Sequence, residues 1–116
     1  MKRRIFLKTT ALAAGVALLS AAHAENAKLK VGFVGVTSGP AAAWGISNQR
    51  SMETRAAWLN ELGGVKIGDT TYDVEIVPFD DGWDPDKAVA AYGKARAEGF
   101  SFFVTSHTST CAVRLA

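Results

Sequence analysis

Cysteine and histidine are scarce in this chain, at one and two of its 116 residues. A single Cys111 cannot form an intramolecular disulfide, even in an oxidising compartment, so a buried or helix-start thiol is the default reading. His23 lies in an N-terminal export segment, and His107 alone cannot build a histidine-based metal cluster. Gly32, Gly35 and Gly39 do not make G-x-G-x-x-G, and no G-x-x-x-x-G-K-[ST] occurs, so dinucleotide and P-loop binding have no motif. Ser106-His107 lacks the G-x-S-x-G surroundings of a nucleophile elbow. Asp80-Asp81-Gly82-Trp83-Asp84 holds three carboxylates, but it lacks the further oxygen ligands and closing Glu of a calcium loop. It reads as a solvated loop ending in a helix cap. No metal and no cofactor is expected.

Long apolar runs are also missing. The longest candidate, Ala11 to Leu19, is too short to span a bilayer comfortably. It follows the basic Met1-Lys2-Arg3-Arg4 and precedes Ala22-His23-Ala24, an A-x-A cleavage site. Residues 1–24 therefore read as a cleavable export signal, with the mature chain starting at Glu25. Arg3-Arg4-Ile5-Phe6-Leu7-Lys8 also fits the twin-arginine pattern, and the Sec route stays open beside it. No Cys stands at the cleavage site, so no lipid anchor is expected. The protein is expected to be exported. The whole chain carries 13 basic and 11 acidic residues; without the signal, nine basic and 11 acidic remain, a net charge of −2. The basic balance belongs to targeting, and no nucleic-acid partner is implied.

From residue 25 onward the pattern alternates strand and helix. The near-continuous apolar run in Lys28–Val36 suits a parallel strand buried on both faces. Met52, Ala56, Leu59 and Leu62 recur at helical spacing between Ile46 and Leu62, and Gly63 supplies the left-handed cap. Val65 to Thr71 reads as a short turn or ribbon, and Tyr72–Phe79 as a second strand. Asp84-Pro85 opens a second helix, with Asp84 as the cap and Pro85 at the first helical position. Ala88, Ala91, Ala95 and Tyr92 form its narrow inner stripe, and Gly99 ends it. Phe100–Thr105 is the third strand, Ser106–Thr110 a polar loop, and the last residues the first turn of another helix. The fold class is α/β, a parallel sheet with crossover helices in the order β-α-β-α-β-(α). Residues 25–116 are expected to be a truncated unit, because the chain stops within that last helix.

Two loops are candidates for binding. Ser38-Gly39-Pro40-Ala41-Ala42-Ala43-Trp44-Gly45 places a large aromatic among small residues at the carboxyl end of the first strand, where open α/β sheets bind ligands. Trp44 reads either as a binding surface or as a ring closing the helix against the sheet. His107-Thr108-Ser109-Thr110 sets hydroxyls before a helix start at the end of the third strand, a ready site for a carboxylate. A plain Ser/Thr N-cap is the alternative, and His107 alone reads as a loop or pocket-wall residue. Both loops lie at strand carboxyl ends, so they can line one crevice.

The ordered set Lys30-Val31-Gly32-Phe33-Val34-Gly35, Ser38-Gly39-Pro40, Trp44-Gly45, Leu59-Asn60-Glu61-Leu62-Gly63-Gly64-Val65, Asp80-Asp81, Asp84-Pro85 and Lys87-Ala88-Val89 resembles the start of periplasmic solute-binding proteins of the leucine/isoleucine/valine-binding type, which serve ABC importers. The resemblance covers nearly all of residues 28–112. It implies two α/β lobes joined by a hinge, a ligand held between them, and closure presenting a surface to ABC permease subunits. It also implies that Trp44 packs against the ligand, and that Thr108, Ser109 and Thr110 receive its carboxylate, with Ser109 the best match. The implied ligand is an amino acid or a related small carboxylate or amide, bound without chemistry. Trp83 and Thr108 stand where some members have a disulfide, and packing by Trp83 is expected to replace it. Arg50-Ser51-Met52 and Phe102-Phe103 also depart from the usual pattern. A secreted α/β enzyme using His107 and the Ser/Thr loop, or a fragment without function, remain the alternatives.

Overall fold

The computed structural model describes residues 25–105 and 108–116. The elements are β1 (Ala27–Gly35), α1 (Ala42–Glu61), β2 (Val65–Ile67), β3 (Thr70–Asp80), α2 (Pro85–Ala97), β4 (Phe102–Thr105) and α3 (Ser109–Leu115). They form one four-stranded sheet in the order β2-β3-β1-β4. β1 pairs in parallel with both β3 and β4, in a register that sets Val34 beside Phe79 and Thr105. The central strand is thus flanked on both sides, and its second half, Gly32 to Gly35, is buried. The alternating pattern correctly indicates a mostly parallel α/β sheet.

Three local readings change. Val65 to Thr71 is not merely a turn: β2 pairs antiparallel with β3, with Ile67 opposite Thr70. The two residues left between them, Gly68 and Asp69, make a tight hairpin loop, and Gly68 takes the positive φ of 60° that such loops require. α1 begins at Ala42, before Ile46, because the run Ala41-Ala42-Ala43 has high helix propensity. Trp44 therefore lies in the first turn of a helix and not in a loop. β4 starts at Phe102 because the Phe100 N–H bonds to Ala95 O at 3.1 Å and closes the end of α2. Phe100 then drops its ring into the core.

Helices pack against the sheet, while Phe102 and Val104 of β4 stay exposed. α1 packs on β3, while α2 packs on β1, β3 and α3. On the α2 side, Val34, Phe79, Ala88, Ala95, Phe100 and Cys111 make one buried cluster. Phe79 and Phe100 meet edge to face at 5.2 Å, and Tyr92 and Phe103 pack at 4.6 Å. Ala88 and Ala95 are fully buried, so the small-residue stripe does bring α2 close to the sheet. Phe33 is fully buried, and each such side chain contributes about 1.5–3 kcal/mol. On α1, Ala56 is buried as expected, but Leu62, the C-cap residue, is exposed. Asn60 anchors that end: its amide donates to Val74 O at 2.9 Å and accepts from Val74 N–H at 2.8 Å, occupying the free edge of β3. No helix among the described residues is long and apolar enough to cross a membrane.

Candidate ligand-binding site at the carboxyl end of the sheet

β1 and β3 end side by side, and the Asp81 N–H extends their pairing to Gly35 O at 3.0 Å. Beyond this point the chain after β1 has free N–H groups, which need an acceptor. Asp80 supplies it. Its Oδ1 accepts from Thr37 N–H at 2.7 Å, Ser38 N–H at 3.2 Å and Gly82 N–H at 3.1 Å. Its Oδ2 accepts a short hydrogen bond from the Ser38 hydroxyl. Asp80 is therefore a clamp that ties the β1–α1 connection, and with it the start of α1, to the end of β3. From sequence alone this stretch reads as a solvated acidic loop ending in a helix cap. The usable signal was the run of donors at Thr37, Ser38 and Gly39 following a buried strand.

Partial burial pushes the Asp80 carboxyl up, but the hydrogen bonds from Ser38, Thr37 and Gly82 outweigh it and hold the group at about 2, below its ordinary 3.8. A depressed folded-state value means that this stabilisation is complete above the ordinary value and lost as pH falls through about 2. Stability measured by urea unfolding should therefore decline between about pH 5 and pH 2, and Asp80→Asn should be less stable at neutral pH with a shallower decline. An identical pH profile for Asp80→Asn would contradict the clamp.

The Asp84 cap forms as expected: Oδ1 accepts from Asp86 N–H and Lys87 N–H, both at 2.9 Å. The Lys87 N–H in particular holds the Asp84 carboxyl below its ordinary range.

Trp44 stands at this end of the sheet with 62% of its surface exposed. Its ring meets Trp83 at 6.0 Å between centroids, edge to face at 67°. The structure thus places the Trp83 ring against Trp44. Ser109 and Thr110 begin α3 and line an open groove of about 610 Å³ with Asp84, Pro85, Asp86, Val113 and Arg114. Trp44 is not among the walls of that groove. Arg114 pairs with Asp86 at 2.7 Å across it. Thr108 is the N-cap of α3, yet its side chain makes no capping bond; it is buried, and its hydroxyl has no hydrogen-bond partner among the described residues. Cys111 is a buried free thiol. His107 lies outside the described residues. Among those described, no group of three or more His, Cys, Asp or Glu is placed to hold a metal ion.

In mostly parallel α/β sheets ligands commonly bind at the carboxyl ends of the strands, where the loops just described lie. A family profile described as periplasmic binding protein matches residues 28–116. The Leu/Ile/Val-binding protein of Citrobacter freundii is 37% identical over 99 residues, covering 84% of this chain and 26% of that protein. The leucine-specific-binding protein of Salmonella typhimurium is 33% identical over 98 residues, with the same coverage of 84% and 26%. Among solved structures, a branched-chain amino acid transporter substrate binding protein from Streptococcus pneumoniae, in complex with isoleucine, superposes with a TM-score of 0.63 at 24% identity, over 75% of this chain and 24% of that one. A solute binding protein from R. palustris, in complex with benzoate, gives 0.59 at 27% identity, over 76% and 23%. This chain belongs to the periplasmic binding protein family. It spans about a quarter of the length of the curated relatives it matches.

Proposed function

We propose that the protein is the extracytoplasmic solute-binding component of an ABC import system. It binds an amino acid or a related small carboxylate or amide in a cleft between two lobes, and releases it unchanged to permease subunits. Residues 1–24 act as the export signal that delivers it to the periplasm, and residues 25–116 form part of the first lobe. One observation carries this reading: Trp44 holds a large exposed ring at the carboxyl end of β1, on a helix start clamped by Asp80. Trp58 on the same helix is as exposed, at 59%; what sets Trp44 apart is its place at the strand ends with its ring against Trp83. Ser109 and Thr110, exposed at the start of α3, offer hydroxyls for the carboxylate. In sequence, His107 and Thr108 stand directly before them, and we assign them to the same site. The leucine, isoleucine and valine binders among its relatives support an amino acid as ligand, and the benzoate complex supports a wider range of carboxylates.

A thermal-shift screen of the full-length gene product tests this. Its panel holds branched-chain amino acids, phenylalanine, benzoate, simple amides and urea. At least one should raise Tm by several degrees, since a ligand at about 100 times its Kd stabilises by about 2.7 kcal/mol. No shift with any of them would reject the proposal.

A further inference from the structure

Trp83 has a backbone that is difficult to explain by folding alone. Its φ is 66°, and it is the one non-glycine residue with positive φ among those described. Gly82 before it has φ 54°, at no steric cost. A bulky side chain in this conformation is strained, and a glycine or asparagine would occupy it more easily. The core does not explain the indole either, because Trp83 is 42% exposed. Strained residues persist where their surroundings over-determine them, and they cluster at functional sites. The surroundings here are fixed at three points. The Trp83 N–H donates to Asp81 Oδ1 at 2.9 Å. Asp81 is fully buried and donates its own N–H to Gly35 O at the end of β1. The Asp81 carbonyl accepts from Asp84 N–H at 2.9 Å, and Asp84 caps α2.

We infer that Trp83 is a second ligand-contacting residue, and that with Trp44 it forms a two-ring corner for the flat aromatic part of a carboxylate ligand. This rests on the reading above that Trp44 faces the ligand. Two indoles at 67° offer one face and one edge to a third ring, which is the arrangement aromatic groups prefer. An aliphatic side chain in the same corner gains burial alone. A quaternary ammonium group would also suit two indoles. It would need an exposed, free carboxylate to balance its charge; Asp81 Oδ2 has no hydrogen-bond partner among the described residues but is fully buried, and the other carboxylates nearby are engaged. Asp80 accepts from three backbone N–H groups and a hydroxyl, Asp84 from two N–H groups, and Asp86 pairs with Arg114.

Trp83→Gly removes the ring while giving the backbone a residue suited to its conformation, and Trp83→Phe keeps a ring. The full-length gene product and both variants would be titrated calorimetrically with benzoate, phenylalanine, leucine and choline. Wild type should bind benzoate or phenylalanine more tightly than leucine. Trp83→Gly should weaken that aromatic ligand by about tenfold or more and leucine by about threefold or less, with no loss of Tm. Trp83→Phe should restore most of the loss. An equal loss for leucine and the aromatic ligand, or no loss for either, would overturn the assignment. So would a loss confined to choline. Leucine binding that persists unchanged while no aromatic ligand binds would overturn it and leave the proposed function standing. Failure of wild type to bind all four would overturn the assignment of Trp83, while the proposed function is decided by the wider thermal-shift panel.

Discussion

Gly45→Ala should lower the stability of the fold by about 3 kcal/mol or more, and the variant is expected to be largely unfolded or poorly expressed. A Cβ at this position would lie 1.7 Å from Val36 O and 2.5 Å from the Val36 carbonyl carbon. Both partners are backbone, so no rotamer change relieves the overlap. α1 would have to lift away from the end of β1, breaking the contact that sets the position of Trp44. Gly93→Ala is the natural control. Gly93 lies within α2 with no atom within 4 Å of its would-be Cβ. Alanine there should stabilise by about 0.5–1 kcal/mol through helix propensity. Chemical denaturation followed by circular dichroism reads both changes. Similar stabilities for the two variants would show that the α1–β1 approach is looser than described.

Trp44→Ala should act in the opposite way, with a large effect on binding and a small one on folding. The side chain is mostly exposed and its ring meets that of Trp83, so its loss should change unfolding free energy by about 0.5 kcal/mol or less. Its loss from the ligand wall should weaken the best ligand by about tenfold to a hundredfold, the range of a buried aromatic contact at an interface. Calorimetric titration separates the two effects when paired with a melting curve. Unchanged affinity would remove Trp44 from the site. A parallel loss of stability and affinity would mean that the ring closes the helix against the sheet instead, the other reading its sequence position allows.

The sheet was legible in the sequence because its signals are local. Apolar continuity in Lys28–Val36, the Asp84-Pro85 cap and the alanine stripe of α2 each encode one element directly. The β2–β3 hairpin was only half legible, since three residues of β2 carry too short a pattern to show a strand. The start of α1 was misplaced because alanines next to Gly39 and Pro40 look like loop by composition. The clamp by Asp80 and the support of Trp83 by Asp81 were not legible. Each joins residues from different elements, and a carboxylate that accepts backbone N–H groups looks in sequence like any solvated aspartate. The expectation that both candidate loops line one crevice met a more detailed arrangement. Ser109 and Thr110 share a groove with the start of α2, whereas Trp44 is paired with Trp83.

The most direct measurement is a calorimetric titration of the full-length gene product with its best thermal-shift carboxylate and with the corresponding uncharged amide. Binding of a small carboxylate at the strand ends predicts a single-site isotherm for the acid, with the amide weaker by about tenfold or more, as expected for loss of a charge-assisted hydrogen-bonding partner. Equal affinity for the two, or no heat from either, would contradict it.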